Sequence, residues 1–149
     1  MSEYLLSDEV ATRAAGAALA PNLRAGDIVL LDGELGAGKT SFVRGLLAAL
    51  GHDGEVPSPS FAIVQPYEAL ALPVWHVDLY RIVDASELAE LGLETILADG
   101  VLLIEWPDRA GAGAWPPQAL TLSILARDDG VRVLTGVAGE GWEGRWPPQ

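Results

Sequence analysis

The chain has no cysteine, which removes disulfides, thiolate nucleophiles and cysteine-type zinc sites and suits a reducing compartment. It has no apolar run near the roughly 20 residues that span a bilayer, and Met1-Ser2-Glu3-Tyr4 is not the basic start of a secretory signal. A cytoplasmic protein without membrane contact is therefore expected. Basic charge is scarce: 9 Lys and Arg stand against 21 Asp and Glu, a net charge of −12, so unaided binding to a phosphate backbone is disfavoured. Lysine is scarcer still, because eight of the nine basic residues are arginine and Lys39 is the only lysine. The single asparagine, Asn22, excludes the Asn-Lys-x-Asp element of guanine-specific switches. What remains is ordinary for a globular protein: 149 residues, half of them apolar, enough for one domain with a buried core.

Ser7 or Asp8 can cap a helix running to about Ala20, where Pro21 stops it, with an apolar face made mostly of alanine. Ile28-Val29-Leu30-Leu31 is a continuous apolar run of the kind buried on both faces of a parallel sheet. After a glycine-rich stretch, Phe42, Val43, Leu46, Leu47 and Leu50 recur at helical spacing. Phe61 to Tyr67 and Val74 to Tyr80 read as an antiparallel pair, with His76, Asp78 and Tyr80 on one face of the second strand. Asp84 to Glu87 opens an amphipathic helix that turns Leu88, Leu91, Leu93 and Ile96 inward, and Val101 to Ile104 is a second buried strand ending at Glu105. Asp108 to Gln118 reads as a surface loop, and Leu120 to Ala126 with Val131 to Val137 as a hairpin. Residues 1–137 form the domain; residues 138–149 are a Gly-, Trp- and Pro-rich tail that reads as frayed. Because Gly33-Glu34-Leu35-Gly36-Ala37-Gly38-Lys39-Thr40, between strand and helix, has the phosphate-loop pattern, the expected fold class is α/β, a single P-loop NTPase-like domain. Its central sheet would be mixed, parallel around the P-loop with antiparallel additions, and carry helices on both faces.

Gly33-Glu34-Leu35-Gly36-Ala37-Gly38-Lys39-Thr40 has the P-loop spacing, a glycine, four residues, then Gly-Lys-Thr. The chemistry requires these types. Glycines let backbone N–H groups curl around phosphates, the lysine reaches the outer phosphate oxygens, and the threonine hydroxyl holds magnesium. Its position between an apolar strand and an amphipathic helix separates it from an ordinary glycine-rich turn. A second acid completes such a magnesium site, and both Asp78 and Glu105 stand at strand ends, where a merely solvated carboxylate is the plainer alternative. Trp106 reads as a packing tryptophan before a stacking one, and His76, with no second histidine at metal spacing, as a satisfied structural histidine. Ser58 and Ser60 have no base in view and do not read as nucleophiles.

Taken together, the P-loop with Phe42 and Arg44, Ser58-Pro59-Ser60-Phe61, His76-x-Asp78-x-Tyr80-Arg81, Glu87-Leu88 with Leu91-Gly92, and Glu105-Trp106-Pro107 resemble the TsaE family, also called YjeE. The resemblance covers residues 7–137. It implies a small ATPase, using ATP and Mg2+, required for N6-threonylcarbamoyladenosine beside the anticodon of tRNAs that read codons starting with A. In the family the group is transferred by TsaD paired with TsaB, on which TsaE docks, so tRNA would be met only through those partners. Carried over, Leu35, Gly36, Ala37, Gly38, Lys39 and Thr40 cradle phosphates, and Thr40 and Glu105 hold magnesium. Asp78 helps order magnesium or the attacking water, Ser58 and Ser60 belong to a switch loop, and Glu9 and Arg132 are candidates for the nucleoside end. Ser60 stands where the family more commonly has threonine. No arginine finger is evident, so turnover by the chain alone is expected to be slow, with Arg44 and Arg81 as candidate cations. A small-molecule kinase, and a nucleotide-dependent adaptor without significant hydrolysis, are the alternative readings.

Overall fold

Seven strands form one sheet in the order β1-β7-β6-β2-β5-β4-β3 in this computed structural model, which describes residues 2–33, 38–54, 56, 64–80, 92–110 and 115–147. The strands are β1 (Ser2–Leu6), β2 (Ile28–Asp32), β3 (Val64–Tyr67), β4 (Val74–Asp78), β5 (Val101–Glu105), β6 (Leu120–Ala126) and β7 (Arg132–Val137). The helices are α1 (Glu9–Leu19), α2 (Lys39–Ala49) and the short α3 (Leu93–Leu97). β6, β2, β5 and β4 run parallel, while β1, β7 and β3 are antiparallel to their neighbours. The mixed α/β sheet expected from the sequence is therefore present, with β2 in the middle of it.

Alternation along the central strands sorts the core into two layers. Val29, Leu31, Val101, Leu103, Leu120 and Leu122 face α1 and α2, while Ile28, Leu30, Leu102, Ile104 and Val77 face the side that carries Ile96 and Leu97 of α3. Asp8 caps α1 by accepting the Ala11 N–H at 2.8 Å. Ala11 and Ala15 of the alanine face expected for α1 pack, partly buried, against the first core layer. A Cβ at Gly16 would run into the Phe42 carbonyl oxygen, and one at Gly45 into that of Arg13, so two glycines set the α1–α2 approach.

Four sequence readings need correction. β1 went unread: it is a short edge strand, and its pairing with β7 is a long-range contact that leaves no local signal. β4 stops at Asp78 and not at Tyr80, because the Asp78 carboxylate accepts the Tyr80 N–H at 2.9 Å and turns the chain; Tyr80 is exposed. The 108–118 stretch is not all surface loop, since Pro107–Ala110 form a 3-10 turn with Ala110 in the second core layer, tied to Trp115 through an indole N–H donated to the Pro107 carbonyl at 2.9 Å. Nor are residues 138–147 frayed. Trp142 and Trp146 are buried in the first core layer, Trp146 lying against Gly136, where a side chain would collide with its ring. The helix expected to open at Asp84 lies, up to Leu91, outside the described residues.

Candidate nucleotide site at the carboxyl ends of the parallel strands

The parallel strands end on one side of the sheet, and the polar residues that the apolar runs stop at are gathered there. Register places Glu105 beside Leu31 on one flank and opposite Asp78 on the other. By alternation from Val74 and Leu103, both in the α1/α2 layer, His76, Asp78 and Glu105 project on the face where α2 begins. Gly38 caps α2 with φ 110°, a left-handed conformation natural to glycine, and Lys39 and Thr40 form the first turn.

Lys39 folds inward and is only 5% exposed. Its Nζ stands 3.9 Å from Glu105 Oε1 and 4.1 Å from the centre of the Trp106 ring, and among the described residues it has no hydrogen-bond partner. Glu105, also buried, has its other oxygen, Oε2, 2.6 Å from His76 Nε2. Burial pushes the Lys39 ammonium below its ordinary pKa, against the pull of Glu105, Asp78 and Asp32. Burial raises the Asp78 carboxyl, with the like charge of Glu105 adding to it, while the Tyr80 N–H, His76 and Lys39 oppose the shift. Trp106 takes φ 57°, unusual for a bulky residue, and its ring packs on Tyr80 at 4.9 Å between centroids.

Of the residues singled out in the sequence, Gly38, Lys39, Thr40, Asp78 and Glu105 come together at this end of the sheet. Arg132 does too: its side chain lies against Gly38, where the nearest atom would be 3.0 Å from a Cβ at that glycine. Glu9 opens α1 at the same end, because β1 runs parallel to β2 and α1 follows it, but its carboxylate pairs with Arg13 at 3.0 Å on an exposed face. Leu35, Gly36, Ala37, Ser58, Ser60 and Arg81 lie outside the described residues. Two features were undervalued in the sequence. Trp106 does pack on the second core layer, and it also covers the lysine. His76 is buried as expected, but its partner is the candidate acid itself; the readable signal was the i, i+2 spacing of His76 and Asp78 on one face.

The donor set suits a hard cation held together with phosphate. The candidates are two carboxylates and a hydroxyl, all oxygen, and among the described residues no cluster of three or more His, Asp or Glu could hold a metal alone. A buried cation lacking a hydrogen-bond acceptor among the described residues, at a glycine-capped helix start, is the counterpart such a phosphate would need.

The profile of the family described as threonylcarbamoyl adenosine biosynthesis protein TsaE matches residues 6–134. The chain belongs to the TsaE family. The tRNA threonylcarbamoyladenosine biosynthesis protein TsaE of Haemophilus influenzae is 39% identical over 103 residues, 68% of this chain and 65% of that one. The TsaE of Rickettsia conorii is 36% identical over 133 residues, 89% of this chain and 75% of that one. For the TsaE of Streptomyces coelicolor the figures are 46% over 97 residues, 63% and 66%. The chain thus spans just under two thirds of the Haemophilus and Streptomyces relatives by matched length, 65% and 66%, and more of the Rickettsia one. The crystal structure of YdiB from Bacillus subtilis superposes with a TM-score of 0.80 at 29% identity, covering 97% of this chain and 90% of that one. TsaE membership and this likeness agree on a P-loop fold. Among the described residues, no helix of this chain is long and apolar enough to cross a membrane.

Proposed function

We propose that the chain binds ATP with Mg2+ at the Lys39–Glu105 end of the sheet and hydrolyses it slowly. In this reading the turnover serves the TsaB–TsaD pair in threonylcarbamoylation of the adenosine beside the anticodon of tRNAs that read codons starting with A, in the cytoplasm. The observation that carries this is Lys39: a buried ammonium with no hydrogen-bond acceptor among the described residues, 3.9 Å from a strand-end carboxylate at the start of α2. Such a group is costly unless an anion completes it, and a phosphate at the helix N-terminus does so.

Leu35, Gly36, Ala37 and Gly38 would offer backbone N–H groups to the phosphates and Lys39 its charge. Thr40 and Glu105 would hold magnesium, which supplies charge neutralisation at the phosphate oxygens when bound. Asp78, whose carboxyl burial already makes a better proton acceptor, would orient the magnesium shell or the attacking water. Ser58 and Ser60 would respond to the terminal phosphate, and Glu9 and Arg132 would meet the nucleoside end, Arg132 being favoured by its place against Gly38. A net charge of −12 supports contact with tRNA through partners.

The test is phosphate release by the purified chain, alone and with a TsaB–TsaD pair from the same genome, for the native protein and Lys39→Ala. Stimulation by the pair that disappears in Lys39→Ala supports the reading. Phosphate delivered to an organic acceptor in place of water would make the chain a kinase, and ATP binding without turnover under any condition would make it an adaptor.

A further inference from the structure

His76 is not part of the phosphate motif, yet it is 2% exposed, and among the described residues its hydrogen-bond partner is Glu105. An ionised carboxylate has no proton to give, so in the 2.6 Å contact Nε2–H donates to Glu105 Oε2. The other ring nitrogen, Nδ1, is buried with no partner among the described residues, so among these the imidazole makes this one bond. The pleat explains its aim. His76 stands opposite Leu103, two residues behind Glu105 on the neighbouring strand and on the same face, and reaches forward to the carboxylate from within the sheet. The two oxygens of Glu105 are thereby separated: Oε2 is turned to the imidazole, and Oε1 is turned to Lys39, which it does not close upon, at 3.9 Å.

We infer that His76 is a positioning residue that ties down one oxygen of Glu105, so that Oε1 alone is presented, as a monodentate ligand, to a divalent cation bound with the nucleotide phosphates. The inference rests on Glu105 being a magnesium ligand, as proposed above. Ligating carboxylates that are held by an outer hydrogen bond keep their orientation, and loss of such partners weakens metal binding by about 10- to 100-fold.

The experiment is calorimetric titration of Mg2+ into the chain saturated with ADP, for the native protein, H76L, H76Q and E105Q, beside ADP binding in chelator. In H76L the Mg2+ affinity is expected to fall by roughly 10- to 100-fold. In H76Q, which keeps an amide donor, it should fall less, and ADP binding without metal should be unchanged in both. Native Mg2+ affinity in H76L alongside a loss in E105Q would overturn the inference and leave the magnesium reading standing; native affinity in E105Q as well would overturn that reading. Because H76L opens a buried site and can fail to fold, a second readout uses the native chain. With 15N-labelled histidine, adding Mg2+ to the ADP complex should move the His76 Nε2 resonance and leave His52 in place. A His76 signal indifferent to Mg2+ would overturn the inference.

Discussion

Each end of β2 carries an ion pair, buried after the strand and partly buried before it, and the two pairs are built in opposite ways. Before β2, Asp27 meets Arg145 Nη1 at 2.7 Å, and the same carboxylate oxygen accepts the Arg24 N–H at 2.8 Å. Arg145 also donates to the carbonyls of Asn22 at 3.1 Å and Gly141 at 3.0 Å, and its guanidinium lies 4.1 Å over the Trp142 ring. After β2, Lys39 is 3.9 Å from Glu105 and has no hydrogen-bond partner among the described residues. A guanidinium held by a carboxylate and two backbone carbonyls fixes a segment in place. A more deeply buried pair left open has capacity for a ligand.

The far end should therefore fail in stability and the near end in binding. Asp27→Ala leaves a partly buried guanidinium without its counter-charge, an effect of up to about 3–5 kcal/mol, and should lower the melting temperature by about 10 °C. ATP affinity of the folded variant, measured by calorimetry below the transition, should stay native; a large loss there would mean the two ends are coupled.

Lys39→Ala should do the reverse. Losing charge-assisted bonds of about 1.5–3 kcal/mol should weaken ATP binding by up to roughly 100-fold. Without nucleotide the variant should melt above the native chain at neutral pH, because burial holds the native ammonium below its ordinary pKa of 10.5. The sign follows from proton counts. Between the lowered folded pKa and 10.5 the unfolded chain binds more protons, so native stability rises with pH there and the variant's advantage shrinks. Melting curves across that alkaline range decide it: an advantage that grows with pH would contradict an ammonium disfavoured by burial.

This contrast was half legible in the sequence. The near end announces itself locally: Gly33 to Thr40 is a contiguous pattern, and Val101 to Ile104 runs straight into Glu105. The far end is assembled from residues 118 apart, Asp27 and Arg145, and a Gly- and Pro-rich stretch gives no period from which the burial of Trp142 and Trp146 could be read. β1 is hidden for the same reason, its partner β7 lying at the other end of the chain. His76 was visible as a residue but not as a partner of Glu105, because strand order, which puts β4 beside β5, is not encoded in local spacing.

Asp78 gives a smaller, acid-side effect. Its carboxyl is raised above 3.8 by burial, so between that value and its folded pKa the folded chain holds more protons than the unfolded one. Native stability should fall as pH rises through this window, and Asp78→Asn should remove the slope while the melting temperature at the acid limit stays close to native. An unchanged slope in the variant would assign the titration to another group.

The smallest effect is expected from Trp106, and it tests the comparison most closely, because both ends use the same contact. Lys39 lies 4.1 Å from the Trp106 ring and Arg145 4.1 Å from the Trp142 ring. At the far end the cation also has its carboxylate and carbonyls, so the ring completes a finished network. At the near end the ring covers a cation that phosphate must claim. That cover is worth about 0.5–1 kcal/mol where water can take its place, so Trp106→Ala should tighten ATP binding by roughly 2- to 5-fold. Alanine still has to adopt the φ of 57° found here, so the variant separates the ring from the backbone conformation. Weaker ATP binding in Trp106→Ala would mean that the ring holds Lys39 ready for phosphate, and the open pair would then owe its readiness to Trp106.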